Sequence, residues 1–481
     1  MRDFSMETRM ESKKKKYHKE KSHFINNIII GILIFLVTLV FEDTPWGIKN
    51  INWQYDAFIS GEARNISNQY DRRINSDIIF FDIDGKSNKD WGRPRLTPRD
   101  KIADLIECAL LGGANVVMLD IALEEPDYSP SHIIVNGELP LSGVERDEKL
   151  RQTFINLKNS NSKTKLILPV LFYADGSLRP NQYADLIDNK TIFQAAPIAV
   201  QDQYDSVTRY WFPFQKYKNK KGQKDIVWTS PLLAAVLAYG QEPNDWETYT
   251  KETFEKAEKK HESCDMRQLS DKFIGENQTI PLKLPELSHN VQLDMETGSM
   301  HSRIRFFMLP VQETAEAASR SSWKSTLYAV NYRKMSDGMK SFVTDAPEFS
   351  LKNKIVIIGN SGVDSGDIHH TPIGNLPGMY IQGNALNTIL TGQTDAIPFW
   401  LKFIFEIMVI LISAWIFLCF FHFTARLILS ACLILLLPLA YFIFLQTGIF
   451  FDIALPLAGI GFHELFARLE ISIENWNQKI H

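Results

Sequence analysis

Where the apolar residues are concentrated constrains this chain more than any other feature. Apolar runs occupy residues 24–41, 398–421, 426–445 and 449–467, whereas residues 42–397 are rich in charge. A helix of about 20 apolar residues crosses the ~30 Å hydrocarbon layer of a bilayer. Residues 24–41, FINNIIIGILIFLVTLVF, follow four lysines at 13–16, a basic flank shared by signal peptides and membrane anchors. The next residues, EDTPWG, lack a small-x-small cleavage pattern, so an uncleaved anchor is expected. Residues 398–421 carry Lys402 and Glu406, spaced to pair on one helix face. Residues 426–445 contain Pro438, which a membrane helix tolerates. Residues 449–467 are the weakest run, with Asp452, His463 and Glu464 near the ends. The alternative for that run is a helix lying on the membrane surface.

Basic residues orient the spans. The lysines at 13–16, Arg426 and Arg468 all fall on one side if there are four crossings. The expected layout is a basic cytoplasmic segment 1–23, a span at 24–41 and an external domain at 42–397. Spans at 398–421, 426–445 and 449–467 and a cytoplasmic tail 468–481 follow. This makes the chain a multi-pass membrane protein with the large domain outside the cytoplasm. The 52 Lys and Arg against 56 Asp and Glu give a net charge of −4, and no nucleic-acid partner is expected. Cys108 and Cys264 could bond outside the cytoplasm, but the apolar surroundings of Cys108 favour a buried free thiol.

The external stretch reads as α/β. DIIFFDID from Asp77 is an apolar strand ending in Asp82 and Asp84. TPRDKIADLIECALLGG predicts a helix capped at Thr97, with Pro98 at the first position and Asp100 completing the cap. Gly112 and Gly113 stop it, and ANVVMLDIAL is the next strand, carrying Asp120. Strand, helix and strand at this spacing imply parallel strands in one sheet. KIVIIG from Lys354 is a further strand, and GMYIQGNALNTILTG from Gly378 a helix. KLILPVLFYA and IAVQDQYDSVTRYWFPFQ supply further strands, and SPLLAAVLAYG a helix. Residues 241–300 are charged and helix-prone and read as a surface insertion. The fold class expected is a largely parallel sheet flanked by helices, plus four transmembrane helices, one N-terminal and three C-terminal.

FFDIDGKSNKDWGRPRLTPRDKIADLIECALLGGANVVMLDIALEEPD resembles the opening of the CHASE2 extracytoplasmic sensor domain. LKNKIVIIGNSGVDSGDIHHTPIGNLPGMYIQGNALNTILTG resembles its close. The likeness covers roughly residues 42–397, and one anchor before the domain with three spans after it is similar to the family layout. The resemblance implies a multi-pass sensor of a bacterial inner membrane, with the large domain facing the periplasm or exterior. Family members usually continue into a cytoplasmic cyclase or kinase; here only the tail 468–481 follows, so the output is expected in a separate protein.

The chemistry of the loop after KIVIIG separates several readings. GNSG sets its glycines wrongly for a nucleophile elbow around Ser361, and no Gly-Lys-Ser/Thr follows for a phosphate loop. Asp364, Asp367, His369 and His370 have no regular metal-ligand spacing, so no metal is expected, nor any other cofactor. Asp82, Asp84, Asp120 and Asp367 would lie at or just past the C-terminal ends of parallel strands, with His369 beside them. Ligands of open α/β sheets collect at that edge, so these five are the candidate ligand-binding residues. The alternative is that the acidic residues cap helices or brace loops. Asp205 and Arg209 read as a turn aspartate and an exposed arginine.

The function expected is an integral membrane sensor without catalysis of its own. It would bind an unknown extracytoplasmic ligand and relay the signal through its spans. The partners are the lipid bilayer, a separate cytoplasmic or membrane signalling protein, and a second copy in a homodimer. Two alternatives remain: a structural or assembly subunit of an envelope complex that reuses this fold, and an external enzyme using the acidic strand ends. In the tail, Leu469, Ile473, Trp476 and Ile480 form a narrow apolar stripe on a helix. That stripe either lies at the headgroups or docks an output protein.

Overall fold

The computed structural model describes residues 28–29, 32–33, 44–66, 75–91, 94, 96–127, 141–179, 181–197, 200–201, 205–219, 222–240, 243, 245–262, 280–293, 302–307, 329–331, 350–362, 365–420 and 422–451. The chain divides into two compact units. One comprises Ile59–Met266 and Gln278–Thr394; the other comprises Met1–Phe58, Arg267–Asn277 and Asp395–His481.

The first unit is built on a six-stranded sheet. Its strands are β1 (Ile78–Ile83), β2 (Val116–Asp120), β3 (Lys165–Pro169), β4 (Ile192–Ala195), β5 (Ala329–Asn331) and β6 (Ile355–Asn360). Their order is β5-β1-β6-β2-β3-β4, and every pairing is parallel. The continuous Val, Ile and Leu runs of β1, β2 and β6 suit strands buried on both faces. β1 and β2 share a sheet as the strand–helix–strand pattern requires, but the late strand β6 is inserted between them.

Helices α3 (Arg99–Leu111) and α4 (Gly143–Asn159) cover one face. There Ile102, Leu105, Ile106, Leu150 and Phe154 join Ile79, Phe81, Val117, Leu119, Val356 and Ile358 in one core. Helices α5 (Ser230–Tyr239) and α7 (Gly378–Thr391) cover the other. α7 lies so close that a Cβ on Gly383 would meet the Phe80 ring at 2.1 Å. A short helix α2 (Gly85–Asp90) follows β1, and α6 (Trp246–Glu262) follows α5. α3 begins one residue later than its sequence implies. Pro98 occupies the cap without a side-chain bond, and Thr97 instead meets the Asn360 amide.

Among the described residues of 241–300, several apolar side chains anchor to the rest of the chain. Trp246 of α6 packs edge-on against Phe193, and Phe254 is buried. The hairpin of Ile280–Lys283 with Asn290–Leu293 buries Val291 and Leu293. The charge-rich composition hid these anchors, which are few but large. Arg209 is not exposed either: it is buried, and both terminal nitrogens donate to Asp205. Cys108 is a buried free thiol, and Cys264 lies outside the described residues.

Helix α1 (Pro45–Ile66) crosses the unit boundary after Phe58. Its later part carries Glu62, fully buried and paired at 2.7 Å with Arg305. In the second unit, α8 (Phe399–Cys419) and α9 (His422–Thr447) form a helical hairpin. Asp395–Ala396 before α8 pairs with Ile449–Phe450 after α9. Among the described residues one helical segment, Leu427–Thr447, is long and apolar enough to cross a membrane, with mean hydropathy 2.7. Of residues 24–41, only 28–29 and 32–33 are described, as helix, and residues 452–481 lie outside the described residues.

Candidate functional site at the sheet edge

The register of the central strands sets Asp82, Gly359 and Asp120 side by side at the C-terminal edge. Residues level with one another in parallel strands point to the same face. Both carboxylates therefore flank a glycine on the α7 face. Gly359 is needed there, since its Cβ would meet Met379 Cβ at 2.6 Å. Connectivity sends the loops at this edge to opposite faces. β1 and β2 send α3 and α4 to one face, while β6 between them sends α7 to the other. Loops that diverge in this way leave a crevice at the strand ends.

Asp82 sits under the first turn of α7. Its Oδ2 accepts from the Tyr380 hydroxyl at 3.0 Å, and the Tyr380 ring stacks on Phe80 at 4.6 Å. Burial pushes the Asp82 carboxyl up to about 6, against hydrogen bonds from Ser361 and Tyr380 that favour its ionised form. Asp120 is pushed up to about 7, first by burial and then by the Asp367 charge; His369 and Gln382 oppose the rise.

The polar loop after β6 closes over this edge as a hairpin of β7 (Ile368–Thr371) and β8 (Gly374–Pro377). His369 Nε2 lies 2.8 Å from Asp367 Oδ1, and that bond holds the imidazole above its ordinary range. The Asp367 carboxylate sits against Gly378 at the start of α7, where a Cβ would meet Oδ2 at 2.1 Å. A carboxylate at a helix N-terminus is favoured by the exposed N–H groups. Gln382, 2% exposed, bonds Asp120 through its amide, while its Oε1 finds no donor. Asp120 Oδ2 likewise lacks a partner. Two buried acceptors without donors thus lie together at the edge.

Of the five residues picked from the sequence, Asp120, Asp367 and His369 form one electrostatic cluster, and Asp82 lies one strand beyond Gly359. Asp84 does something else: its Oδ1 caps α2, accepting from Ser87 N at 2.7 Å and Ser87 Oγ at 2.6 Å. Asp364 lies outside the described residues, and among those described no group of three His, Cys, Asp or Glu is arranged to hold a metal ion. The sequence reading missed Tyr380 and Gln382. Their signal was two polar side chains in the first turns of a helix read only for its apolar face. The tail residues Leu469, Ile473, Trp476 and Ile480 lie outside the described residues.

The model of the CHASE2 domain family matches residues 30–420. The chain belongs to the CHASE2 family. CHASE2 is an extracellular sensory domain rather than a catalytic one. The match extends through α8, so the CHASE2 region comprises the sheet domain together with flanking apolar helix. No curated protein and no solved structure matches the chain.

Proposed function

We propose that this CHASE2 protein is a multi-pass inner-membrane sensor whose external domain reads a small polar ligand at the edge formed by Asp82, Asp120, Asp367, His369 and Gln382. The observation that carries the reading is the pair of buried acceptors without donors, Asp120 Oδ2 and Gln382 Oε1, at the divergent loops of the sheet. A ligand offering hydrogen-bond donors or positive charge satisfies both acceptors and offsets the cost of burying Asp120. α7 begins at this edge and ends a short linker before α8, so the chain itself connects the ligand edge to the helical hairpin.

Four crossings, at 24–41, 398–421, 426–445 and 449–467, fit this reading. Trp400, Leu401, Ile404, Leu411, Ile412 and Trp415 are exposed along α8, and Ile434, Leu435 and Leu439 along α9, as lipid-facing residues are. The relay then passes to a separate signalling protein, with the stripe of Leu469, Ile473, Trp476 and Ile480 as its dock.

The test is a thermal-shift screen of the full chain in detergent against amines, polyols and amino acids, repeated with Asp120→Asn and Gln382→Ala. A ligand of this edge raises the melting temperature of the native chain, and both variants lose most of that shift. A ligand that stabilises all three proteins equally binds elsewhere and overturns the assignment.

A further inference from the structure

The first half of α1 has two unlike sides. Residues 46, 49, 53 and 57 are exposed, at the 3–4 spacing of one helix face, and are Trp46, Lys49, Trp53 and Ala57. Trp46 is 73% exposed and Trp53 69%. The opposite side is fixed. Tyr55 meets Phe444 and Phe450 edge-on at 6.2 and 5.6 Å, and Phe58 meets Tyr441 at 5.3 Å. Gln54 Nε2 donates to Phe451 O at 3.0 Å. These contacts dock the helix on the last turns of α9, which contains the one described segment that passes for a membrane span.

That end of the hairpin also holds the start of α8, because Asp395–Ala396 pairs with Ile449–Phe450. Trp400 stands exposed there, and Trp415 stands exposed near the far end of α8. The two are about 22 Å apart at 1.5 Å per residue, so one indole stands near each end of a helix of membrane-spanning length, as interfacial tryptophans do. Trp53 and Ala57, level with Tyr55 and Phe58 along α1, therefore lie beside the belt that Trp400 marks, and Trp46 extends the same face by about two turns. A stripe of two indoles with a lysine between them is too narrow for a protein interface of ordinary size. It matches a headgroup layer, where indole sits flat and a lysine stem reaches toward phosphate.

We propose that residues 45–58 form a membrane-surface segment whose Trp46–Lys49–Trp53–Ala57 face lies in the phospholipid headgroups of the outer leaflet. This rests on the membrane-sensor reading above. It gives the external domain a lipid contact at its entry, in addition to the spans.

The experiment places a nitroxide at Ala57→Cys, and separately at Trp53→Cys, in the full chain with its native cysteines replaced. The proteins are reconstituted into vesicles of phosphatidylcholine and phosphatidylglycerol. Controls carry the label at Ile434→Cys on α9 and Leu111→Cys on α3, both exposed positions. Power saturation compares accessibility to oxygen, which enriches in lipid, with that to a water-soluble nickel chelate. The expected oxygen-to-nickel ratio at 57 and 53 lies between those at 434 and 111. A ratio at 57 and 53 equal to that at 111, with 434 in hydrocarbon, overturns the proposal while leaving the membrane reading intact. Shielding of 57 and 53 from both reagents shows a protein covering the stripe and also overturns it. An aqueous ratio at 434 overturns the membrane reading itself.

Discussion

Asp120 and His369 make stability depend on pH with one sign. Folded Asp120 keeps its proton to about pH 7, whereas the unfolded carboxyl loses it near 3.8. The folded state therefore binds more protons across that window, and stability falls as pH rises through it. Asp82, raised to about 6, acts in the same direction. His369 is raised above 6.5 by Asp367, so its contribution is full below 6.5 and is lost as pH rises through the folded value. The melting temperature of the full chain should be higher at pH 5.5 than at pH 8, and Asp120→Asn should flatten that slope. A slope unchanged in the variant places the titration elsewhere. Tyr380→Phe keeps the stack on Phe80 but removes the donor to buried Asp82. It should cost about 1–3 kcal/mol in chemical denaturation at pH 8, and less at pH 5, where the acid is neutral. The acidic strand ends were legible in sequence because an apolar run that stops at Asp is a plain signal. That Asp84 caps α2 was not, since Asp84 and Asp82 differ by two positions and the α2 turn has no apolar pattern.

At the scale of elements, α7 is held to the sheet by absent side chains as much as by present ones. Gly383→Ala would drive a methyl into the Phe80 ring, and the helix must lift. A loss of about 1–3 kcal/mol is expected, measured by denaturant midpoint, as for overpacking generally. A neutral outcome would mean that Phe80 turns aside, and Phe80→Leu should then rescue nothing. Glu62→Ala strips the carboxylate from buried Arg305 and should cost about 3–5 kcal/mol. The strands and helices of the sheet domain were readable from apolar runs and glycine stops. The position of β6 was not, because parallel strands carry no turn between them that fixes who neighbours whom. The anchors of residues 241–300 were hidden for a different reason: Trp246, Phe254 and Val291 are single apolar residues set among charges, below the threshold of any periodic pattern.

At the scale of the whole molecule, the proposed four crossings would put His481 in the cytoplasm. A reporter fused there should be active only if it works in that compartment, and an exported reporter would remove the crossing at 449–467. Ile473→Glu with Trp476→Ala should abolish co-purification of an output protein while leaving membrane insertion intact; unchanged association moves that interface to the spans or the external domain. The short pairing of Asp395–Ala396 with Ile449–Phe450 has a mechanical consequence. Asp395 N donates to Gly448 O at 3.2 Å, so the mouths of α8 and α9 are stitched together by backbone. Forceps tied at the tips cannot be worked by spreading the tips. A pull arriving at Asp395 is shared by both arms, and the hairpin leans or turns as one lever instead of sliding arm past arm. Locking the stitch with a disulfide at the registered pair, Asp395→Cys with Ile449→Cys, should leave the response to ligand unaltered in either redox state; a response silenced by oxidation would show that the arms part.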